Sequence, residues 1–414
     1  MKRLPVDFYL LFATRIARLF AYGFLSVVLV LYLSQAGLQD TEIGLLLTLT
    51  LVGDTLISLW ITTNADRIGR RRMLLAGAGL MLFAGILFAL TRNYILLVIA
   101  ATIGVISPSG NEVGPFLALE QASLSQIVTD RRRTAAFAWY GLVGSFATAL
   151  GALAGGVLAQ LLQNTGVTPL NSYRAVVVGY AGMGAVLAVL FTRLSPAVEA
   201  PPSEHPATMK SRFGLHRSRK VVLKLSALFS LDAFAGGFVI MSFVAYWFNT
   251  RFHVSPAVLG AIFFSANILA GISALSAARI AARFGLINTM VFTHIPSNIM
   301  LMMVPLMPTL WLAILVLLLR FSISQMDVPT RQSYTMAVVQ PDERSAAAGI
   351  TGIARTTGAA ISPIFAAPML GSVALAGLPF FIAGSLKIIY DVLLYRNFKA
   401  AKPPEEMAAQ SSRP

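Results

Sequence analysis

Ionisable side chains inside long apolar stretches are the first residues of this sequence that point to chemistry. Each costs roughly 2.5 to 3.5 kcal/mol at the middle of a membrane-spanning helix, so a set of them indicates a functional site. The candidate site residues are Arg15, Arg18, Asp54, Glu112, Asp232, Arg320, Asp327 and Arg355. Glu120 and Arg331 lie in the same kind of stretch.

The spacing of these charges predicts which of them share a helix face. Arg15 and Arg18 are three residues apart and should present one positive surface. Arg320 and Asp327 are two turns apart, and Arg331 continues the same stripe. Two readings stay open: Arg15 lines the site or extends to lipid head groups, and Asp327 acts on a solute or simply neutralises Arg331.

Glu112 lies in a stretch that is poorly suited to a regular helix. Pro108 and Gly110 precede it and Gly114-Pro115 follow it, which should bend the helix and free backbone carbonyl groups. Because removal from water penalises an ionised carboxylate, we expect Glu112 or Asp54 to exchange protons. The alternative is that each is permanently ionised and paired with an arginine.

Aromatic residues, histidine and cysteine provide fewer candidates for a functional site than the charged residues do. Tyr140, Tyr246 and Trp247 are aromatics that could contact a solute, and His294 is interpreted as a structural residue. The chain has no cysteine, and its four histidines have no metal-ligand spacing, so we expect no metal and no cofactor.

The elements that carry these residues follow from composition. Of 414 residues, 57% are hydrophobic and only 12% charged, against about 25% charged in an ordinary soluble domain. The net charge of +15 is concentrated in short clusters such as 70–72 and 131–133, without the interleaved aromatics of a nucleic-acid surface. Lipid is therefore the expected solvent, and nucleic acid is not an expected partner.

Twelve stretches are long and apolar enough to be membrane-spanning helices of about 20 residues. They cover 8–34, 42–64, 73–91, 94–122, 134–161, 172–192, 222–248, 256–282, 287–307, 309–336, 345–370 and 376–395. We therefore predict an all-α polytopic membrane protein, with the first apolar stretch retained as a span.

Loops and repeats divide these spans into two halves. We predict an N-terminal six-helix bundle (1–193), a Pro-rich cytoplasmic linker (194–220), a C-terminal six-helix bundle (221–398) and a cytoplasmic tail (399–414). Lys and Arg are concentrated on one side, which places both termini in the cytoplasm and the protein in a cytoplasmic (inner or plasma) membrane. Three sequence echoes between the halves, in the same order, predict two pseudo-symmetric bundles.

The stretch Asn64-Ala65-Asp66-Arg67-Ile68-Gly69-Arg70-Arg71-Arg72 resembles the loop-2/3 signature of the major facilitator superfamily, with Thr62 where the family has an opening glycine. The resemblance covers nearly the whole chain. It implies that the first, fourth, seventh and tenth helices line a central cavity. It also implies that Asp66 faces the start of the eleventh helix and locks the cytoplasmic side of the outward-open state.

The gating-loop residues implied by this resemblance are Asp66, Arg67, Gly69, Arg70, Arg133 and Arg344. Positive-inside topology charge is the alternative reading of 70–72. The run Gly151-Ala-Leu-Ala-Gly155-Gly156 is similar to the family's antiporter signature, with Ala152 in place of proline. Close helix packing explains those glycines equally well.

Together these features predict a secondary active transporter that moves a small anionic or zwitterionic solute by alternating access, coupled to protons. Its expected partners are the solute, protons and membrane lipids. Nucleotide-binding and hydrolase motifs are missing from the sequence, which argues against an enzyme. A proton-driven multidrug-type efflux pump is the alternative, and a transport-fold receptor or scaffold is a remote one.

Overall fold

The computed structural model describes residues 5–128, 130–199, 217–340 and 343–399. Within these ranges the regular structure consists of α-helices and short 3-10 turns. In chain order the helices are α1 (Val6–Ser26), α2 (Leu29–Gln35), α3 (Asp40–Ile68), α4 (Arg70–Leu90), α5 (Tyr94–Ile103), α6 (Phe116–Ile127), α7 (Asp130–Asn164), α8 (Pro169–Thr192), α9 (Arg219–Gly237), α10 (Met241–Phe252), α11 (Pro256–Phe284), α12 (Leu286–Met303), α13 (Leu310–Ser324), α14 (Asp327–Val338), α15 (Arg344–Ile361), α16 (Pro363–Gly371) and α17 (Leu378–Phe398).

Ten helical stretches in the described ranges are long and apolar enough to cross a membrane. The two remaining predicted spans are interrupted. The fourth, 94–122, consists of α5 and α6, and the eleventh, 345–370, consists of α15 and α16. The predicted all-α polytopic fold is therefore confirmed, with some of its spans built from two shorter helices.

The described residues pack as two compact units. The first is drawn from Met1–Pro206 and Ile240–Ile268, the second from Ala207–Val239 and Leu269–Pro414. Residues 240–268, which the sequence analysis placed in the second bundle, thus pack with the first unit. Residues 200–216 of the predicted linker and 400–414 of the predicted tail lie outside the described ranges, and the domain boundaries stay a prediction.

The interruption between α5 and α6 is the longest stretch without regular helix among the described residues of the first unit. It covers residues 104–115, and Gly110 and Gly114 adopt φ values of 69° and 80°, which favour glycine. Backbone groups that lose helical partners must be satisfied inside a membrane protein. Asp54 of α3 accepts a hydrogen bond from the Gly114 N–H at 2.6 Å, and the Tyr22 hydroxyl donates to the Val113 carbonyl at 3.1 Å.

A shorter break separates α13 from α14 in the second unit. Gln325 and Met326 lie between the helices, and the Gln325 N–H donates to the Ser273 hydroxyl at 3.3 Å. Arg320 and Asp327 are consequently on different helices. The single helix predicted to carry Arg320, Asp327 and Arg331 is therefore interrupted, and the shared stripe stays a prediction.

Small residues set the distance between α1 and α7. A Cβ atom added at Gly151 would lie 2.0 Å from the Phe20 carbonyl oxygen, and one added at Gly155 would lie 2.2 Å from the Phe24 carbonyl oxygen. Gly156 approaches the Pro256 carbonyl of α11 in the same way. These contacts account for the glycines of the α7 motif through close backbone packing.

Candidate functional site

Two arginines of α1 meet two carboxylates of the interrupted fourth span. Arg18 Nη1 and Nη2 donate to Glu120 Oε1 and Oε2 at 2.8 and 2.6 Å, and neither side chain is exposed. The Thr14 hydroxyl donates to Glu120 at 2.7 Å, and the Tyr140 hydroxyl also contacts it. Glu120 is therefore fully satisfied and fixes the Arg18 guanidinium in place.

Glu112 receives the remaining donors of this group. Arg18 Nε donates to Glu112 Oε1 at 2.8 Å, and Arg15 Nη1 contacts Glu112 Oε2. The guanidinium of Arg15 also lies over the Tyr140 ring, 4.7 Å from its centroid. Two guanidinium groups thus converge on one carboxylate whose side chain is 16% exposed, in contrast to the fully buried Glu120. The four charges, two of each sign, balance.

The structure brings Arg15, Arg18 and Glu112 together as one group. It pairs Glu112 with arginine, as the permanent-ionisation alternative requires. Arg15 is directed at Glu112 rather than at head groups.

Asp54 has a different environment from Glu112. Its Oδ1 accepts hydrogen bonds from the Gly114 N–H and, at 3.4 Å, from the Ser58 hydroxyl. It forms no ion pair with any residue in the described ranges. Asp54 therefore serves as a backbone acceptor for the irregular segment that carries Glu112.

A second charged group lies in the second unit and centres on Asp232 of α9. Lys387 Nζ of α17 contacts Asp232 Oδ1, and Arg331 Nη1 of α14 donates to Oδ2 at 3.1 Å. Arg355 of α15 lies 3.5 Å from Oδ2 and is 35% exposed. Three helices thus place a cation on one carboxylate, and Arg355 is the most exposed of the three.

Arg331 joins Asp232 to Asp327, one turn away on α14. Its Nη1 lies 2.9 Å from Asp327 Oδ2. Mutual neutralisation of Asp327 and Arg331 is therefore part of a larger network. Arg320 does not enter it through any ion pair with a described residue, and its guanidinium lies over the Phe321 ring, 4.9 Å from the centroid.

Two members of the second unit's polar core, Lys387 and Asp391 of α17, were not among the predicted site residues. Asp391 lies 2.9 Å from His294 Nδ1, and both side chains are buried. The cost of ionisable groups inside a span, which identified the other candidates, would also have identified these residues in the twelfth span.

The gating-loop candidates are only partly described. The side chains of Asp66 and Arg133 lie outside the described part of the structure, so the predicted contact of Asp66 with the start of α15 stays a prediction. Gly69, with φ of 113°, joins α3 to α4, and Arg67, two residues earlier, is exposed. Arg344 Nε donates to the Met336 carbonyl at 2.9 Å.

Glu199 holds the basic end of this loop within the first unit. It accepts hydrogen bonds from the backbone N–H groups of Arg70 and Arg71 at 2.6 and 3.2 Å, at the start of α4. The Arg71 side chain donates to the Thr192 carbonyl at 2.5 Å, and Arg70 contacts Gln126. A carboxylate at a helix N-terminus is favoured by the helix dipole, so these contacts anchor the loop to the segment after α8.

Interrupted spans, buried ion pairs and two compact units define a polytopic membrane protein of the transporter type. A family profile described as Major Facilitator Superfamily matches residues 11–363. The chain belongs to this superfamily. Its members are transporters rather than enzymes, as the sequence analysis expected.

Comparison with known proteins agrees with this assignment. The chain is 32% identical to an uncharacterized membrane protein of Saccharomyces cerevisiae, YJR124C, over 94% of this chain and 93% of the yeast protein. Among solved structures it is similar to a D-xylose-proton symporter, with 15% identity, 94% and 97% of the two chains covered and a TM-score of 0.74.

Two other transporter structures have the same fold. The nucleoside transporter NupG is 13% identical, with 95% of this chain and 100% of that chain covered and a TM-score of 0.73. The human organic anion transporter MFSD10 (TETRAN) is 16% identical, with 94% and 100% covered and a TM-score of 0.63. At these identities the likeness establishes the fold.

Proposed function

We propose that this protein is a secondary active transporter that moves a small solute carrying a carboxylate or similar anionic group, coupled to protons, by alternating access. The observation that carries the proposal is the convergence of Arg15 and Arg18 on Glu112. Two guanidinium groups around one carboxylate form the arrangement that proteins use to bind an anionic group with directional hydrogen bonds.

Glu112 occupies the position that a solute carboxylate would take. It lies in the irregular segment 104–115, whose backbone is not fixed by helical hydrogen bonds, and it is the partly exposed carboxylate of its group. Arg18 stays in place through Glu120 when Glu112 moves. A solute anion can therefore replace Glu112 on Arg15 and Arg18 without leaving a buried arginine unpaired.

Charge placement favours an anion or a zwitterion over a lipophilic cation. A cation site needs a carboxylate that is free to pair with the solute. In the described ranges Glu112, Asp232 and Asp327 each have an arginine or lysine partner, and Asp54 binds backbone. An amino group on a zwitterionic solute would pair with the displaced Glu112.

The Lys and Arg distribution supports a cytoplasmic membrane with both termini in the cytoplasm. In that orientation the loop at Gly69 and Arg70 lies on the cytoplasmic side. We propose that Asp66, Arg67, Gly69, Arg70, Arg133 and Arg344 act there in gating.

Thermal stabilisation of the purified protein tests the solute class. Two panels are compared: small organic anions and zwitterions (monocarboxylates, dicarboxylates, amino acids, organic phosphates), and lipophilic cations such as tetraphenylphosphonium. A ligand that binds the folded state raises the melting temperature, and the stabilisation grows with the logarithm of its concentration relative to Kd. We expect members of the first panel to stabilise the wild type and to lose this effect in Arg15→Gln.

The matched control is Arg251→Gln, an arginine that is exposed and lies over the Phe252 ring. It should respond to the anions like the wild type. Stabilisation by lipophilic cations alone, unchanged in Arg15→Gln, would contradict the proposal and support the multidrug-type exporter. Equal loss in both arginine variants would also contradict it, because the effect would then be one of overall charge.

A further inference from the structure

A buried imidazole and a buried carboxylate face each other between α12 and α17. His294 Nδ1 lies 2.9 and 3.1 Å from the two Asp391 oxygens, and the side chains are 6% and 1% exposed. Asn298, one turn along α12, donates from Nδ2 to Asp391 Oδ2 at 3.1 Å. The carboxylate thus has one titratable partner and one partner that is always neutral.

Helix α17 connects this pair to the ion-pair network of the second unit. Lys387 precedes Asp391 by four residues, so the two side chains share one face of the helix. The Lys387 ammonium contacts Asp232, which also binds Arg331. A change in charge at Asp391 therefore acts directly on the ammonium group that holds Asp232.

His294 is the histidine of this network, and histidine is the residue type whose ordinary charge change lies nearest to physiological pH. The carboxylates of Asp232, Asp327 and Asp391 balance the cations of Arg331, Arg355 and Lys387, three against three. Arginine and lysine ordinarily stay charged at physiological pH, whereas an unperturbed imidazole titrates between pH 5 and 8. One proton on His294 takes the network from neutral to a charge of +1.

We propose that His294 and Asp391 form a proton-binding site, and that its occupancy sets the strength of the Lys387–Asp232 ion pair. In the deprotonated state the imidazole Nδ1–H donates to Asp391, and a proton then binds at Nε2. The resulting imidazolium neutralises Asp391, and Lys387 remains with Asp232. Loss of the proton leaves Asp391 without a cation in direct contact, so it attracts Lys387 one turn away.

This movement of Lys387 allows proton binding at His294 to affect the ion-pair network in the core of the second unit. When Lys387 turns toward Asp391, Asp232 retains Arg331 and the partly exposed Arg355, and its hold on α17 weakens. The Lys387–Asp232 ion pair therefore connects α9 and α17 in the protonated state and is weakened in the deprotonated state. Use of this site to drive solute movement rests on the proposed function, whereas the proton binding itself does not.

Other charged and titratable groups belong to the helices that pack against α12, namely α13, α14 and α17. They are Arg320 on α13, Asp327, Arg331 and Tyr334 on α14, and Lys387, Tyr390, Asp391, Tyr395 and Arg396 on α17. Asp232 of α9 also interacts electrostatically with His294. The Tyr390 ring packs edge-on against the imidazole, with centroids 6.1 Å apart. Among the groups that the structure describes around the imidazole, Asp391 and no other is hydrogen-bonded to the His294 ring nitrogen.

Nuclear magnetic resonance of the full-length protein tests the site without any solute. The protein is labelled with 15N-histidine in lipid nanodiscs and titrated from pH 5 to pH 8. The chain has four histidines, and His294→Gln identifies the resonance in question by its loss. We expect the His294 ring to lose one proton, from imidazolium to imidazole, as the pH is raised in this titration. A ring that keeps one charge state throughout would overturn the proposal.

Coupling to the network is tested with Lys387→Met. Removal of a nearby positive charge favours the imidazolium, so the midpoint should move to higher pH by about half a pH unit, a roughly threefold change in proton affinity. The control is Lys224→Met, an exposed lysine of α9. Equal midpoints in the two variants would overturn the coupling.

If Lys387→Met does not fold, Lys387→Gln, which is also neutral but keeps a hydrogen-bond donor for Asp232, tests the same coupling. The proton site itself is tested separately with Asp391→Asn. This variant keeps the hydrogen-bonding shape but removes the charge that stabilises the imidazolium, so the midpoint should move to lower pH. An unchanged midpoint would overturn the site. Because the experiment contains no solute, a failure of the anion experiments leaves its result intact, and a failure here leaves the anion site intact.

Discussion

Arg18 and Glu120 form a two-point ion pair in the interior of the first unit, at 2.8 and 2.6 Å, with neither side chain exposed. The remaining nitrogen of the same guanidinium, Nε, binds Glu112 at 2.8 Å. One arginine thus holds two carboxylates of different exposure. The buried one fixes the arginine, and the partly exposed one is the partner that a solute can replace.

Glu120→Gln should be strongly destabilising. Removal of one partner from a buried ion pair costs about 3 to 5 kcal/mol, because the other charge stays buried. The double variant Arg18→Met with Glu120→Met should lose less stability than the sum of the losses in Arg18→Met and in Glu120→Met. Stability is measured by thermal unfolding in detergent. Strictly additive losses would contradict the buried pair.

Glu112→Gln should fold and bind the solute anion more tightly than the wild type. The substitution removes the charge that competes for Arg15 and Arg18, so we expect about tenfold higher affinity, equivalent to about 1.4 kcal/mol. The stabilising anion from the thermal panel is titrated against both proteins. Weaker or unchanged binding in Glu112→Gln would show that Glu112 does not occupy the anion position.

Asp54→Asn should preserve both the fold and the pH dependence of transport. Its side-chain oxygen can still accept the hydrogen bond from the Gly114 N–H, and the proposed proton site lies on His294 and Asp391. Asp54→Leu should lose stability, about 1 to 3 kcal/mol for a buried N–H without a partner. Uptake between pH 5 and 8 is the measurement. A flat pH profile in Asp54→Asn would assign the coupling proton to Asp54 instead.

Gly151→Ala should disrupt the packing of α1 against α7. Its Cβ would lie 2.0 Å from the Phe20 carbonyl oxygen, which forces the helices apart. Gly141→Ala on the same helix is the matched control, since an added Cβ there meets nothing within 4 Å. We expect a lower melting temperature for the first variant only. Equal effects would mean that helix propensity, not close packing, explains the α7 glycines.

Much of the architecture could be predicted from the sequence because lipid imposes a simple length and polarity rule. That rule located the twelve spans, and the stretch from Asn64 to Arg72 indicated the superfamily that the profile confirmed. Helical spacing also predicted that Arg15 and Arg18 share a face, and the structure places both on Glu112.

Features that depend on tertiary contacts were harder to predict. The break before α14 leaves Asp327 at the first turn of a new helix. Pro329, which is tolerated in a first turn but not in a helix interior, was the available signal for it. The three cations around Asp232 come from three helices, so no local pattern predicts their convergence.

Uptake into proteoliposomes tests the central claim most directly. Wild type, Arg15→Gln and Arg251→Gln are reconstituted at equal density, and entry of the radiolabelled anion that best stabilises the wild type is followed with and without an imposed pH gradient. We predict uptake that increases with the gradient in wild type and Arg251→Gln, and a loss of about tenfold or more in Arg15→Gln. Full gradient-driven uptake in Arg15→Gln would contradict the account.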